Sequence, residues 1–193
     1  MTVRTPDPDP MNDPEPENGS FQGPAWLTDL ELEQIRHRLP LLYVEAVPVR
    51  VDGLGRVADV GVLLRANTLG EITRTIVSGR VMYGESLREA LFRHLEKDLG
   101  SMAFPLLPVS PVPFQVAEYF PLPGMSSFHD ERQHAVSLAY VVPVTGTCDP
   151  RQDALELTWM TPQEVVSPDV IDEFEGGRGL LVKAAMAAVG CTV

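Results

Sequence analysis

The segment "SGRVMYGESLREALFRHLEKDLG", Ser78 to Gly100, decides how the rest of the chain is read. An extended run ends at Gly79, a short loop carries Gly84, and a helix is predicted from about Ser86 to Leu99. Gly100 stops it, because glycine enters left-handed backbone without strain. At about 100° per residue, His94, Lys97 and Asp98 share an arc with Leu87, Ala90 and Leu91. The polar trio is therefore expected to face the domain body. Glu85, Glu89 and Arg93 fall at i, i+4 and i+8, a spacing suited to ion pairs. Burying Lys97 without a partner would be costly, so it is predicted to be paired or to open onto a cleft.

Outward from this unit, "GEITRTIVSGR" reads as one strand. "LLYVEAVPVRVD" and "VADVGVLLRA" read as two more, turning at Asp52-Gly53 and Gly55. Before them, Thr28 or Asp29 is placed to cap a helix from about Leu30 to Arg38, ended by Pro40. Downstream, a strand is predicted around Phe114–Phe120, a strong one in "QHAVSLAYVVPV", and a short one in "ALELTWMTPQEV". Thr161, Pro162 and Glu164 there form a capping box with proline at the first helical position. Gly176-Gly177 precedes a last helix of about ten residues. Strands before, between and after helices, with little βα regularity, indicate α+β.

The chain has 193 residues with net charge −12, enough for one domain spanning 25–193. Residues 1–24 hold six prolines and five acids against one arginine, and are expected to be a disordered tail. Such acidity disfavours bulk nucleic acid as a partner. Cys148 and Cys191 make no disulfide framework. No apolar run is long enough for a membrane span, and the N-terminus lacks a secretory h-region. A cytoplasmic protein is expected. Two lysines against thirteen arginines suggest a GC-rich bacterial source.

The strand–loop–helix at 72–100, the strand about 35 residues later and the "D-A-L-E-L-T-W-M-T-P-Q-E-V" segment with Trp159 together resemble the Nudix hydrolases. The resemblance covers roughly residues 41–188 and implies an α/β/α sandwich with a mixed central sheet. The family pattern G-x5-E-x7-R-E-U-x-E-E-x-G-U, with U bulky and aliphatic, places its glycines on Gly79 and Gly100. It also places its first glutamate on Glu85, its arginine on Arg93 and its first aliphatic residue on Leu95; Gly84-Glu85-Ser86 keeps the "GES" turn.

Its acidic half departs. His94 stands for the glutamate after the arginine, and Lys97-Asp98 for the glutamate pair, while Ser101 replaces an aliphatic residue. In the family those glutamates hold Mg²⁺ or Mn²⁺. Hard cations want carboxylate oxygens, and only Asp98 remains one.

Two readings of the trio stay open. The polar positions pair with one another as structure, or His94 and Asp98 hold a divalent metal completed by Glu89 or by ligands elsewhere, a set better suited to Mn²⁺, Zn²⁺ or Fe²⁺ than to Mg²⁺. In the second, Lys97 supplies charge to a phosphate and Arg93 orients the helix and loop through Glu85. A further cluster, His129, Asp130, Glu131, Arg132 and His134, is either a substrate-binding or metal-completing loop or a solvated polar turn. Asp153 and Glu156 are lesser candidates. The resemblance implies a hydrolase of a nucleoside diphosphate linked to another moiety. The alternative is a non-catalytic domain that binds a nucleotide-type ligand or a protein partner.

Overall fold

The computed structural model describes residues 27–66, 70–150 and 155–191; the expected tail and Asp153 lie outside them. The first helix, α1, spans Asp29–Arg36, slightly shorter than expected. Thr28 and Glu31 close a capping box at its start, the hydroxyl accepting from Glu31 N and the carboxylate accepting from Thr28 N. Two long strands follow, β1 (Leu41–Val51) and β2 (Val57–Ala66).

The single strand expected across "GEITRTIVSGR" is divided. Its first part, β3 (Ile72–Thr75), pairs with β2, and its second, β4 (Val77–Arg80), pairs with β1. The cause is the edge of β1. Strand β2 covers it only at Val49–Val51, leaving Tyr43–Ala46 open for β4.

The box helix, α2, spans Leu87–Leu99. It is followed by β5 (Ala103–Pro105), β6 (Gln115–Phe120), the two-residue β7 (Phe128–His129) and β8 (Ala135–Gly146). The chain continues through β9 (Glu156–Met160), α3 (Pro162–Val165) and α4 (Pro168–Asp172) to α5 (Arg178–Ala188). Thr161 caps α3 with Glu164, as the sequence predicts.

The sheet runs β3-β2-β1-β8-β6-β7, with β4 added on β1, β5 on β8 and β9 on β2. It is mixed, because β1 and β8 are parallel while β1–β2 and β6–β8 are antiparallel. On one face α2 lays Leu91, Leu95 and Leu99, all fully buried, on Val44, Ala46, Tyr140 and Val142. Burial of each leucine is worth about 1.5–3 kcal/mol. On the other face α5 lays Leu181, Val182, Ala185 and Met186 on Val47, Val62 and Ile76. This is an α+β sandwich of helix, mixed sheet and helix. Among the described residues, no helix is long and apolar enough to cross a membrane.

Candidate functional site

The two halves of the 78–100 segment behave differently. The scaffold half forms a rigid corner. Arg93 donates from Nε and Nη2 to the two Glu85 oxygens at 2.6 and 2.7 Å, and from Nη2 to the Arg80 carbonyl at 2.9 Å. Glu85 also accepts from Met82 N at 2.9 Å. Burial pushes the Glu85 carboxyl up, but the Arg93 and Met82 hydrogen bonds outweigh it and hold it below the usual range.

Gly79 and Gly100 are required by close approach. A Cβ on Gly79 would lie 1.8 Å from the His94 ring, and one on Gly100 would lie 2.5 Å from the Asp149 carbonyl oxygen. Gly84 has φ +77° in the loop.

The candidate metal donors each make a contact within the fold, though the His94 contact leaves one ring nitrogen uncommitted. Glu89 is exposed and serves the helix start. Its carboxylate accepts from Ser86 N at 2.8 Å and Ser86 Oγ at 2.7 Å, and these bonds hold its pKa below the usual value. It is thus not part of the expected Glu85–Glu89–Arg93 ion-pair stripe, because the capping box claims it.

His94 is buried over Gly79, and its Nε2 lies 3.0 Å from the Arg80 carbonyl. A carbonyl only accepts, so Nε2 carries the proton; Nδ1 is buried with no hydrogen-bond partner. Asp98 is fully buried, and Arg65 at the end of β2 brings Nη2 to 2.6 Å from its Oδ1. The Lys97 ammonium lies 3.9 Å from the same oxygen. A divalent cation there would meet two fixed positive groups around the one box carboxylate. Among the described residues, no three His, Cys, Asp or Glu side chains form a group that could hold a metal. The residues present do not fit the cation that the box pattern implies.

Burial pushes the His94 pKa below 6.5; the hydrogen bond to Arg80 opposes this in part, and the Arg93 and Lys97 charges add to it. A group refusing a proton in the fold but taking one when unfolded costs stability as pH falls below its unfolded value of about 6.5. The melting temperature of the unmodified protein is therefore expected to fall more steeply between about pH 7 and about pH 5 than that of His94→Gln. Parallel profiles would contradict a neutral buried ring.

The 129–134 loop is not brought to α2. Strand β7 pairs with β6, and the Ser127 and His129 carbonyls pack on Gly177 and Gly176 before α5, on the other side of the sheet. His129 Nε2 lies 3.3 Å from the Pro121 carbonyl, and His134 stacks on Phe120 at 4.5 Å. Asp130 is held by Arg132 at 2.9 and 3.0 Å. Burial raises its pKa, but Arg132 lowers it further, for a net decrease. Glu131 is exposed, as is Glu156 on β9.

The buried polar centre of that second face was not anticipated. Glu45 accepts from Arg178 Nε at 2.7 Å and from the Tyr119 hydroxyl at 2.9 Å, and the Arg178 guanidinium lies 4.9 Å from the Tyr119 ring centre.

Residues 22–191 match the family model of a domain of unknown function, DUF4916. No curated protein matches. A solved structure described as a possible asymmetric diadenosine tetraphosphate hydrolase, from Jonesia denitrificans, is 57% identical, with TM-score 0.78, covering 81% of this chain and 99% of that one. The Nudix domain of Shewanella oneidensis NrtR, solved with ADP-ribose, is 17% identical with TM-score 0.55, covering 78% and 88%. A Nudix hydrolase from Nitrosomonas europaea is 12% identical with TM-score 0.57, covering 78% and 90%. The last two share the fold with this chain.

Proposed function

The chain belongs to the DUF4916 family within the Nudix hydrolase superfamily, and on that premise we propose that it binds a nucleoside diphosphate linked to another moiety, as a binding domain rather than a box-metal hydrolase. One observation carries the proposal: Asp98, the carboxylate left in the acidic half of the box, pairs with Arg65, and Glu89 is held by the capping box of α2. The sequence places hydrolysis first, and the similarity to a possible diadenosine tetraphosphate hydrolase supports that activity in general; those contacts bear on the box-metal ligands alone. A fold that keeps the Glu85–Arg93 corner while engaging its box carboxylate elsewhere retains the box scaffold without the Lewis acid that hydrolysis uses. Cytoplasmic placement in a bacterium belongs to the same proposal and rests on composition.

The similarity to a possible diadenosine tetraphosphate hydrolase supports the second reading, that the chain hydrolyses such a substrate with ligands other than these three. Equilibrium binding of ADP-ribose, run beside turnover of ADP-ribose and diadenosine tetraphosphate with and without Mn²⁺, separates the two. Binding without turnover is expected. Mn²⁺-dependent turnover would establish the hydrolase reading, and neither binding nor turnover would remove the ligand class.

A further inference from the structure

We infer that the groove on the outer side of α2 is the seat of the chain's own residues 21–26, with the Trp26 ring laid against Tyr83 and Phe92. This shortens the tail expected from composition to residues 1–20.

The groove has a volume of about 650 Å³, and Met82, Tyr83, Arg88, Glu89, Phe92 and Glu96 line it beside the Glu85–Arg93 corner. It is not the box face, because Glu96 lies about 160° around the helix from both His94 and Asp98. Its two rings are bare for their size: Tyr83 is 75% exposed and Phe92 45%. Exposed aromatic surface gathered in a groove marks a place for another apolar group. The walls are already fixed. Glu85 N donates to the Met82 carbonyl at 3.1 Å, and Arg88 Nε donates to the Pro108 carbonyl at 3.2 Å. An occupant therefore meets a shaped site, which lowers the ordering cost of filling it.

Three observations select the occupant. The first is place. The described chain begins at Leu27, just before α1, whose eight residues rise about 12 Å. Leu39 N donates to the Ile35 carbonyl at 2.9 Å, folding the end of α1 back toward β1. Leu42 of β1 accepts from Val81 N at 3.0 Å, and the next residue, Met82, lines the groove. The chain ahead of Leu27 thus departs about one short helix from the groove, and residues 21–26 extend to about 20 Å. The second is chemistry. Phe21 and Trp26 are the aromatic residues of 1–26, and residues 18–27, "NGSFQGPAWL", carry no charge. The acids at 7, 9, 13, 15 and 17 would be repelled by Glu89 and Glu96, so charge sets which stretch can enter. The Trp26 indole N–H is a donor, and those two carboxylates are acceptors at the groove wall. The third is the family match, which begins at residue 22 and so includes 22–26 in the shared domain but not the acidic residues before them.

The test uses the full chain and its two tryptophans, Trp26 and Trp159. Trp159→Phe leaves Trp26 as the reporter. Its emission is expected to be blue-shifted, and acrylamide quenching severalfold weaker than for free tryptophanamide. Phe92→Ala in that background should raise the quenching at least about twofold, because the ring that Trp26 covers is gone. If Trp159→Phe does not fold, the Trp26 signal is taken as the difference between the unmodified protein and Trp26→Phe.

A second arm reads stability. Trp26→Ala should lower the melting temperature by about 3–8 °C. The double variant Trp26→Ala/Phe92→Ala should lose less than the two single variants together, since both remove one shared contact. A Trp26 as accessible as free tryptophanamide would overturn the inference and leave the groove to a different chain. Shielding that Phe92→Ala does not relieve, or strictly additive losses, would overturn it by seating Trp26 elsewhere. Shielding that disappears on dilution as sedimentation shows a dimer giving way to monomer would also overturn it, assigning the groove to residues 21–26 of a second copy.

Discussion

Arg178→Met is expected to remove about 3–5 kcal/mol of folding stability, the largest loss for any single change considered. Arg178 opens α5, and its Nε donates to Glu45 at 2.7 Å in a part of the sheet where Glu45 is 1% exposed. Burial alone would lower the Arg178 pKa, yet the Glu45 carboxylate and its neighbours raise it above the ordinary value, so the guanidinium keeps its charge in the fold. Removing one partner strands the other charge in a medium that solvates it poorly. Tyr119 can donate one hydrogen bond to Glu45 but brings no positive charge. The double variant Glu45→Gln/Arg178→Met should lose less than Arg178→Met alone, because no unpaired carboxylate remains. Denaturant unfolding checks both. Equal losses in single and double variants would mean that the guanidinium matters here for its packing and not for its charge.

Gly79→Ala is the second large effect, expected at about 1–3 kcal/mol from overpacking. The added methyl would lie 1.8 Å from Cε1, 2.1 Å from Nε2 and 2.2 Å from Nδ1 of His94. The ring cannot step aside cheaply, because α2 holds it buried against β4 and its Nε2 donates to the Arg80 carbonyl. Adding His94→Ala to Gly79→Ala should restore part of the loss, since the two positions share one space. An unaffected Gly79→Ala protein would mean that the ring has room the structure does not show.

Much of this architecture is legible in the residues. Leu91, Leu95 and Leu99 repeat at four-residue spacing and mark the buried stripe of α2, and Ser86 with Glu89 marks its start. His94 and Asp98 face inward as their shared arc predicts, while Lys97 stays 31% exposed. The committed state of that trio was not legible, because Arg65 reaches Asp98 from another strand, 33 residues away in sequence. "VGVLLRA" shows only an arginine ending an apolar run.

Glu45 left a clearer sign. Alternation along β1 places it with Val47 and Val49, and an acid at an inward position demands a cation. The sequence does not say which one, and the answer, Arg178, lies 133 residues on. Glu89 misled because its helical spacing fits an ion pair and a capping box equally well. The division of "GEITRTIVSGR" depends on where β2 leaves β1, which local pattern does not encode.

On the proposed reading, α2 keeps the box scaffold but has closed its cation site. Calorimetric titration of the unmodified full chain with Mn²⁺ and Mg²⁺, beside Asp98→Asn, tests this most directly. No saturable binding to the unmodified protein beyond weak surface association is expected, and the same trace from Asp98→Asn. A one-to-one site of micromolar affinity, lost in Asp98→Asn, would contradict it and show that Asp98 leaves Arg65 for a metal.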